Sequence, residues 1–119
     1  MTEAELKTRT KKFAHDCVKL ALELPNDKLG WHLQGQLIRC STSVAANYRA
    51  ACVAQSKKSF VSKLGIVVEE ADESNFWLEF IRDENLLNTE IVNPLFQESE
   101  EIKLIFISSR KTAEQSLKR

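Results

Sequence analysis

Residues Gln34 to Gln55 read QGQLIRCSTSVAANYRAACVAQ, and this stretch decides the fold. Together with Leu33 just ahead of it, Leu37, Cys40, Val44, Asn47 and Ala51 recur every three or four residues, the period of one helix face. Ile38, Ala45 and Tyr48 widen that seam. The stretch holds no carboxylate; its charges are Arg39 and Arg49, set among Ser41, Thr42, Ser43 and Asn47. Arg39, Ser43 and Asn47 are spaced i, i+4, i+8 and form a polar ladder beside the seam.

Outward from this helix the pattern repeats. Before it, Pro25 to Gly30 (PNDKLG) is a run of turn formers, so the second helix is predicted over about 32–53. A first helix is expected over 2–24, with Thr2 and Glu5 as a capping box and Leu6, Phe13, Cys17, Leu20 and Leu24 as its stripe. Its basic residues, Lys7, Arg9, Lys11, Lys12 and Lys19, lie mostly off the stripe and read as a solvated face rather than a specific anion site. After the second helix, Phe60, Leu64, Val67, Ala71, Ser74, Leu78 and Ile81 mark a third over 57–82, widened by Trp77 and Phe80. A fourth is expected over 89–117 on Leu95, Ile102, Phe106, Ala113 and Leu117, capped by Thr89 or, with Pro94 as first residue, by Asn93. Four long amphipathic helices with short connections predict an all-α, antiparallel up-and-down four-helix bundle, a single domain over 1–119.

Composition agrees. Gly 3 and Pro 2 in 119 residues leave little turn material for a β fold. The three cysteines, Cys17, Cys40 and Cys52, form no CxxC pair and read as reduced, packed side chains. No apolar run approaches the ~20 residues that span a bilayer, and the N-terminus lacks the apolar core of a signal peptide. No membrane association is expected, and the cytoplasm is the expected location. Neither His15 nor His32 has the Glu-x-x-His spacing of bundle metal sites. Ser41 and Cys40 have no neighbouring base. The acidic cluster Glu69 to Glu73, with Glu79, could seat a metal in principle but lacks a histidine on helices three and four. No cofactor, metal or catalytic residue is expected.

Net charge is zero, yet the charge is segregated. Residues 1–68 carry eleven Lys or Arg against five Asp or Glu, and residues 69–119 carry six against twelve, so the halves are +6 and −6. Such blocks either neutralise each other within the bundle or present opposed surfaces to partners. A hairpin of helices two and three centred near residue 54 sets Arg39 level with Glu69, with Glu70, Asp72 and Glu73 as further candidates. It also sets Ser43 level with Gly65. The group Arg39, Ser43, Asn47, Glu69, Glu70 and Glu73 therefore reads foremost as a structural polar network, with a subunit contact or a ligand site as alternatives. If the Arg39 pair is buried, removing one partner should cost on the order of 3–5 kcal/mol.

The run QLIRCSTSVAANYRAACVAQSKKSFVSKLGIVVEEADESNFWLEFI resembles the four helix bundle protein family, which includes members encoded in intervening sequences of 23S ribosomal RNA genes. Gln36, Leu37, Arg39, Ser43, Ala46 and Asn47 match its first motif. Ser56, Lys57, Phe60, Lys63, Leu64, Glu70, Ala71, Glu73, Trp77 and Leu78 match the remainder. Cys40 stands where the pattern has serine, and Ala50 where it usually has glutamate. The resemblance implies homopentamers. A related, more basic accessory subunit of diversity-generating retroelements implies binding of nucleic acid and of a reverse transcriptase. Two functions follow: a non-enzymatic, oligomeric binding or scaffold protein, and an RNA- or DNA-binding protein acting through Arg49, Lys57, Lys58 and Lys63.

Overall fold

A computed structural model describes residues 1–118. Four helices account for nearly all of them: α1 (Glu3–Ala21), α2 (Lys28–Cys52), α3 (Lys57–Asp83) and α4 (Thr89–Leu117). No strand occurs among the described residues. The fold is an all-α, antiparallel four-helix bundle measuring 51 × 21 × 21 Å. Chain-adjacent helices pack along their lengths, while α1 and α4 touch less extensively.

Each helix begins on a side-chain cap that satisfies an amide the first turn leaves free. Thr2 accepts from the Glu5 amide, Asp27 from Gly30, Ser56 from Ser59 and Asn88 from Glu90. Two boundaries and one cap differ from the sequence expectation. α1 stops at Ala21 because the turn leads into Pro25, which disfavours helical backbone at Leu24; Leu24 is nonetheless buried. α2 starts at Lys28, four residues early, because Asp27 acts as its cap instead of as a turn residue. α4 is capped by Asn88, so Pro94 lies inside the helix and forfeits one backbone hydrogen bond.

The reversal between α3 and α4 is made by Asn85, at φ 54°. The amides of Asn85 and Leu86 donate back to the carbonyls of Arg82 at 3.0 Å and Ile81 at 3.2 Å. This double bond pattern closes a helix on a left-handed residue, a conformation asparagine tolerates.

The core is one continuous cluster. α1 supplies Leu6, Phe13, Cys17 and Leu20, and α2 supplies Leu33, Leu37, Cys40, Val44, Tyr48 and Ala51. α3 adds Leu64, Val67, Ala71, Leu78 and Ile81, and α4 adds Val92, Ile102 and Phe106. Asn47 and Phe60 sit at its margin, and Leu117 is exposed. Four hydroxyl residues, Thr10, Ser41, Ser74 and Ser99, are buried in or beside the core. Thr10, Ser74 and Ser99 bond the carbonyls of Leu6, Glu70 and Phe96 at 2.8, 2.9 and 2.7 Å. No buried side-chain nitrogen or oxygen among the described residues lacks a partner.

One glycine is held by a close approach. A Cβ on Gly30 would stand 1.8 Å from the Pro25 carbonyl oxygen, whereas one on Gly35 would meet nothing within 4 Å. Gly30→Ala should therefore destabilise by on the order of 1–3 kcal/mol, because backbone must move. Gly35→Ala should stabilise by up to about 1 kcal/mol. Urea unfolding of the two variants checks the opposite signs.

Candidate functional site

Arg39 leaves α2 toward α3 and donates from Nη1 to Glu70 Oε2 at 3.0 Å and from Nη2 to Glu73 Oε2. The Trp77 indole donates to the other Glu73 oxygen at 3.4 Å. Glu70 and Glu73 are three residues apart and share a face of α3. Glu69, the residue the hairpin arithmetic set level with Arg39, is exposed and outside this group. Arg39 itself is 50% exposed, with Glu70 at 15% and Glu73 at 32%. The hydrogen bond to Glu73, with the charges of both carboxylates, raises the Arg39 pKa. The same bond from Arg39 holds the Glu73 carboxyl below the usual glutamate range.

The rest of the polar ladder stands apart. Asn47 donates to the carbonyl and hydroxyl oxygens of Ser43, at 2.9 and 2.8 Å, within α2. Neither joins Arg39. At Gly65, which the same arithmetic set level with Ser43, the nearest side chain comes from α4. A Cβ on Gly65 would lie 3.2 Å from Arg110 Cζ, so its bare surface seats the Arg110 guanidinium of α4.

Other ion pairs tie α4 to its neighbours. Lys103 meets Asp72 at 3.1 Å, and Arg9 reaches from α1 to both Glu98 and Glu101 at 2.6 Å. The hydrogen bond to Glu98 raises the Arg9 pKa well above its ordinary value. Periodicity had placed Arg9 only on a solvated lysine face, and only three-dimensional adjacency of the first and last helices reveals its role.

The antiparallel topology brings the start of α1, the α2–α3 turn and the end of α4 to one end, as the bond from Lys57 Nζ to Ser116 Oγ at 3.0 Å shows. Arg49 and Lys58 are exposed there, and Lys63 is half-buried. Lys7, Lys11, Arg110 and Lys111 join them, against the acids Glu3, Glu5 and Glu114. Arg49 lines a groove with Lys7, Lys11, Ala45 and Ala46. Toward the opposite end, His32 meets the Trp77 ring edge-on at 5.7 Å, and Phe76 meets Trp77 at 4.9 Å and Phe80 at 6.1 Å.

The cysteine thiols are poorly suited to chemistry. Burial pushes Cys40 up to about 11 and Cys17 higher still, so neither is a thiolate near neutral pH. Among the described residues no three His, Cys, Asp or Glu side chains gather as a metal site. No helix among them is long and apolar enough to cross a membrane.

The family model described as 23S rRNA-intervening sequence protein matches residues 2–108. The chain belongs to that family. Among solved structures, it is similar to a crystal structure of a protein of unknown function from the S23 ribosomal protein family of Bacteroides thetaiotaomicron. The two are 32% identical, with 93% of this chain and 99% of that chain covered and a TM-score of 0.85. No curated protein matches the chain. The motif residues that signalled the 23S rRNA-intervening sequence protein family have distinct positions. Leu37, Leu64, Ala71 and Leu78 are core, whereas Arg39, Glu70, Glu73 and Trp77 make the rim cluster between α2 and α3.

Because the Arg39 pairs are half-exposed, the cost expected of a buried pair does not apply. Arg39→Leu should cost no more than about 1 kcal/mol, and the double-mutant cycle with Glu73→Gln should give coupling below about 1 kcal/mol. The stability Glu73 contributes is present above the ordinary glutamate pKa of about 4.3 and is lost as pH falls below it. Glu73→Gln should therefore lower stability in the neutral region, by no more than about 1 kcal/mol for a part-exposed pair, and leave the acid region nearly unchanged, which flattens the acid limb of a stability-versus-pH curve from urea unfolding.

Proposed function

We propose that the protein is a non-enzymatic binding protein that works as a homo-oligomer, its copies meeting through the aromatic ridge of α2 and α3. The observation that carries this reading is exposure of rigid rings: Trp31 is 57% exposed and Phe76 is 50% exposed. Phe76 is braced by Trp77 and Phe80, and the Trp31 indole donates to Asn26 Oδ1 at 2.6 Å. Fixed aromatic surface loses little entropy on contact and is enriched at the centres of protein interfaces. The exposed acids Glu69, Asp72 and Glu79 accompany the ridge on α3. They suit the basic end of a neighbouring copy, an arrangement that closes into a ring when repeated head to tail. The family resemblance implies five copies.

Sedimentation velocity at tens of micromolar tests this. The unaltered chain should sediment as one discrete assembly, and Trp31→Ser with Phe76→Ser should shift it to smaller species without loss of helical circular dichroism. A monomeric unaltered chain contradicts the reading.

A second reading, nucleic-acid binding, is favoured by the gathering of cations at one end. Arg49, Lys58 and Lys63 take part in no ion pair among the described residues. Multiple copies multiply such a patch, and binding should weaken steeply with salt. Filter binding of mixed RNA and DNA at low ionic strength should show retention that Lys57→Glu with Lys58→Glu lowers. Retention unchanged by that pair of substitutions removes this reading.

A further inference from the structure

The groove between α1 and α2 brings together side chains that the sequence separates by about forty positions. Lys7 and Lys11 stand one helical turn apart on α1, and Arg49 faces them from α2 across Ala45 and Ala46. The groove encloses about 300 Å³, the lower end of the range for small-molecule sites. Its chemistry is one-sided: three groups that only donate hydrogen bonds, from two helices, around a small apolar floor.

Little opposes these charges from within the chain. Lys11 and Arg49 join no ion pair among the described residues, and the one pair of Lys7, with Glu3 at 3.6 Å, is solvent-exposed. α2 contributes no competing carboxylate, since no acid occurs from Lys28 to Val68. Glu3 is the acid at the rim, near Cys52 and Tyr48, and its side chain is 60% exposed, so water screens its charge. Three cations facing one depression repel each other, and an anion there relieves that repulsion. The planar Arg49 fork suits two oxygens of one phosphate, and the two ammonium groups add point charges on the other wall.

We propose that this groove binds a phosphate-bearing ligand, its phosphates held by Lys7, Lys11 and Arg49 and its organic part laid on Ala45 and Ala46. This goes beyond self-association and does not depend on it.

The test is a titration of the full chain, followed by assigned backbone-amide NMR, with adenosine diphosphate, pyrophosphate, adenosine and a short mixed-sequence RNA. Adenosine diphosphate and pyrophosphate should shift the Ala45, Ala46 and Arg49 amides saturably, and adenosine should not. Lys11→Glu with Arg49→Glu should weaken the response about tenfold or more, the equivalent of one lost charge-assisted bond, with helical circular dichroism unchanged. A response to RNA alone at the same amides also supports the phosphate site and identifies the strand backbone as its source. No response at these amides to any of the three phosphate compounds overturns the proposal. So does a response that the double substitution leaves unchanged.

Discussion

The bundle depends on burial of the inner face of α2 between α1 and α3. Leu33, Leu37, Cys40 and Val44 are fully buried along that face, and burying an aliphatic side chain is worth about 1.5–3 kcal/mol. Everything charged on α2 is consequently forced to the rim. Arg39 reaches sideways to α3, and Arg49 is left over the α1 groove. The ion pairs decorate a fold already set by apolar packing, and exposed pairs of this kind are worth little individually.

Much of this architecture was legible in the sequence because period and burial coincide. Every apolar position picked out on α1 as its stripe is buried, and on α3 only Phe60 falls at the margin. α4 was harder. Its buried line is Val92, Ser99, Ile102 and Phe106, and the serine in the middle breaks the apolar signal although its hydroxyl is satisfied by Phe96 and Asn75. Caps were ambiguous where one residue type serves two purposes. Asp27 and Asn88 are turn formers by composition and N-caps by geometry.

Sequence arithmetic brought Arg39 to the right acidic cluster and left the choice within it open. Helical phase, not height, selects Glu70 and Glu73 over Glu69, and phase across two helices is invisible from spacing along one. Whether the pair was buried depended on how far the α2–α3 rim opens to water, which no local pattern encodes. The same limit hid the Arg9 bridge to α4 and the Arg110 seat on Gly65. Likewise, the opposed charges of the two halves of the sequence become a partly neutralised middle and a basic end. Membership of the 23S rRNA-intervening sequence protein family accounts for the motif residues on α2 and α3, and the unassigned charge lies on α1 and at that end.

The most direct test of the central claim is equilibrium urea unfolding of Leu37→Ala. If the buried α2 face holds the bundle together, the substitution should remove about 2–5 kcal/mol of stability while the folded variant keeps its helical circular dichroism. A loss below about 1 kcal/mol, the scale of a surface ion pair, would contradict the account.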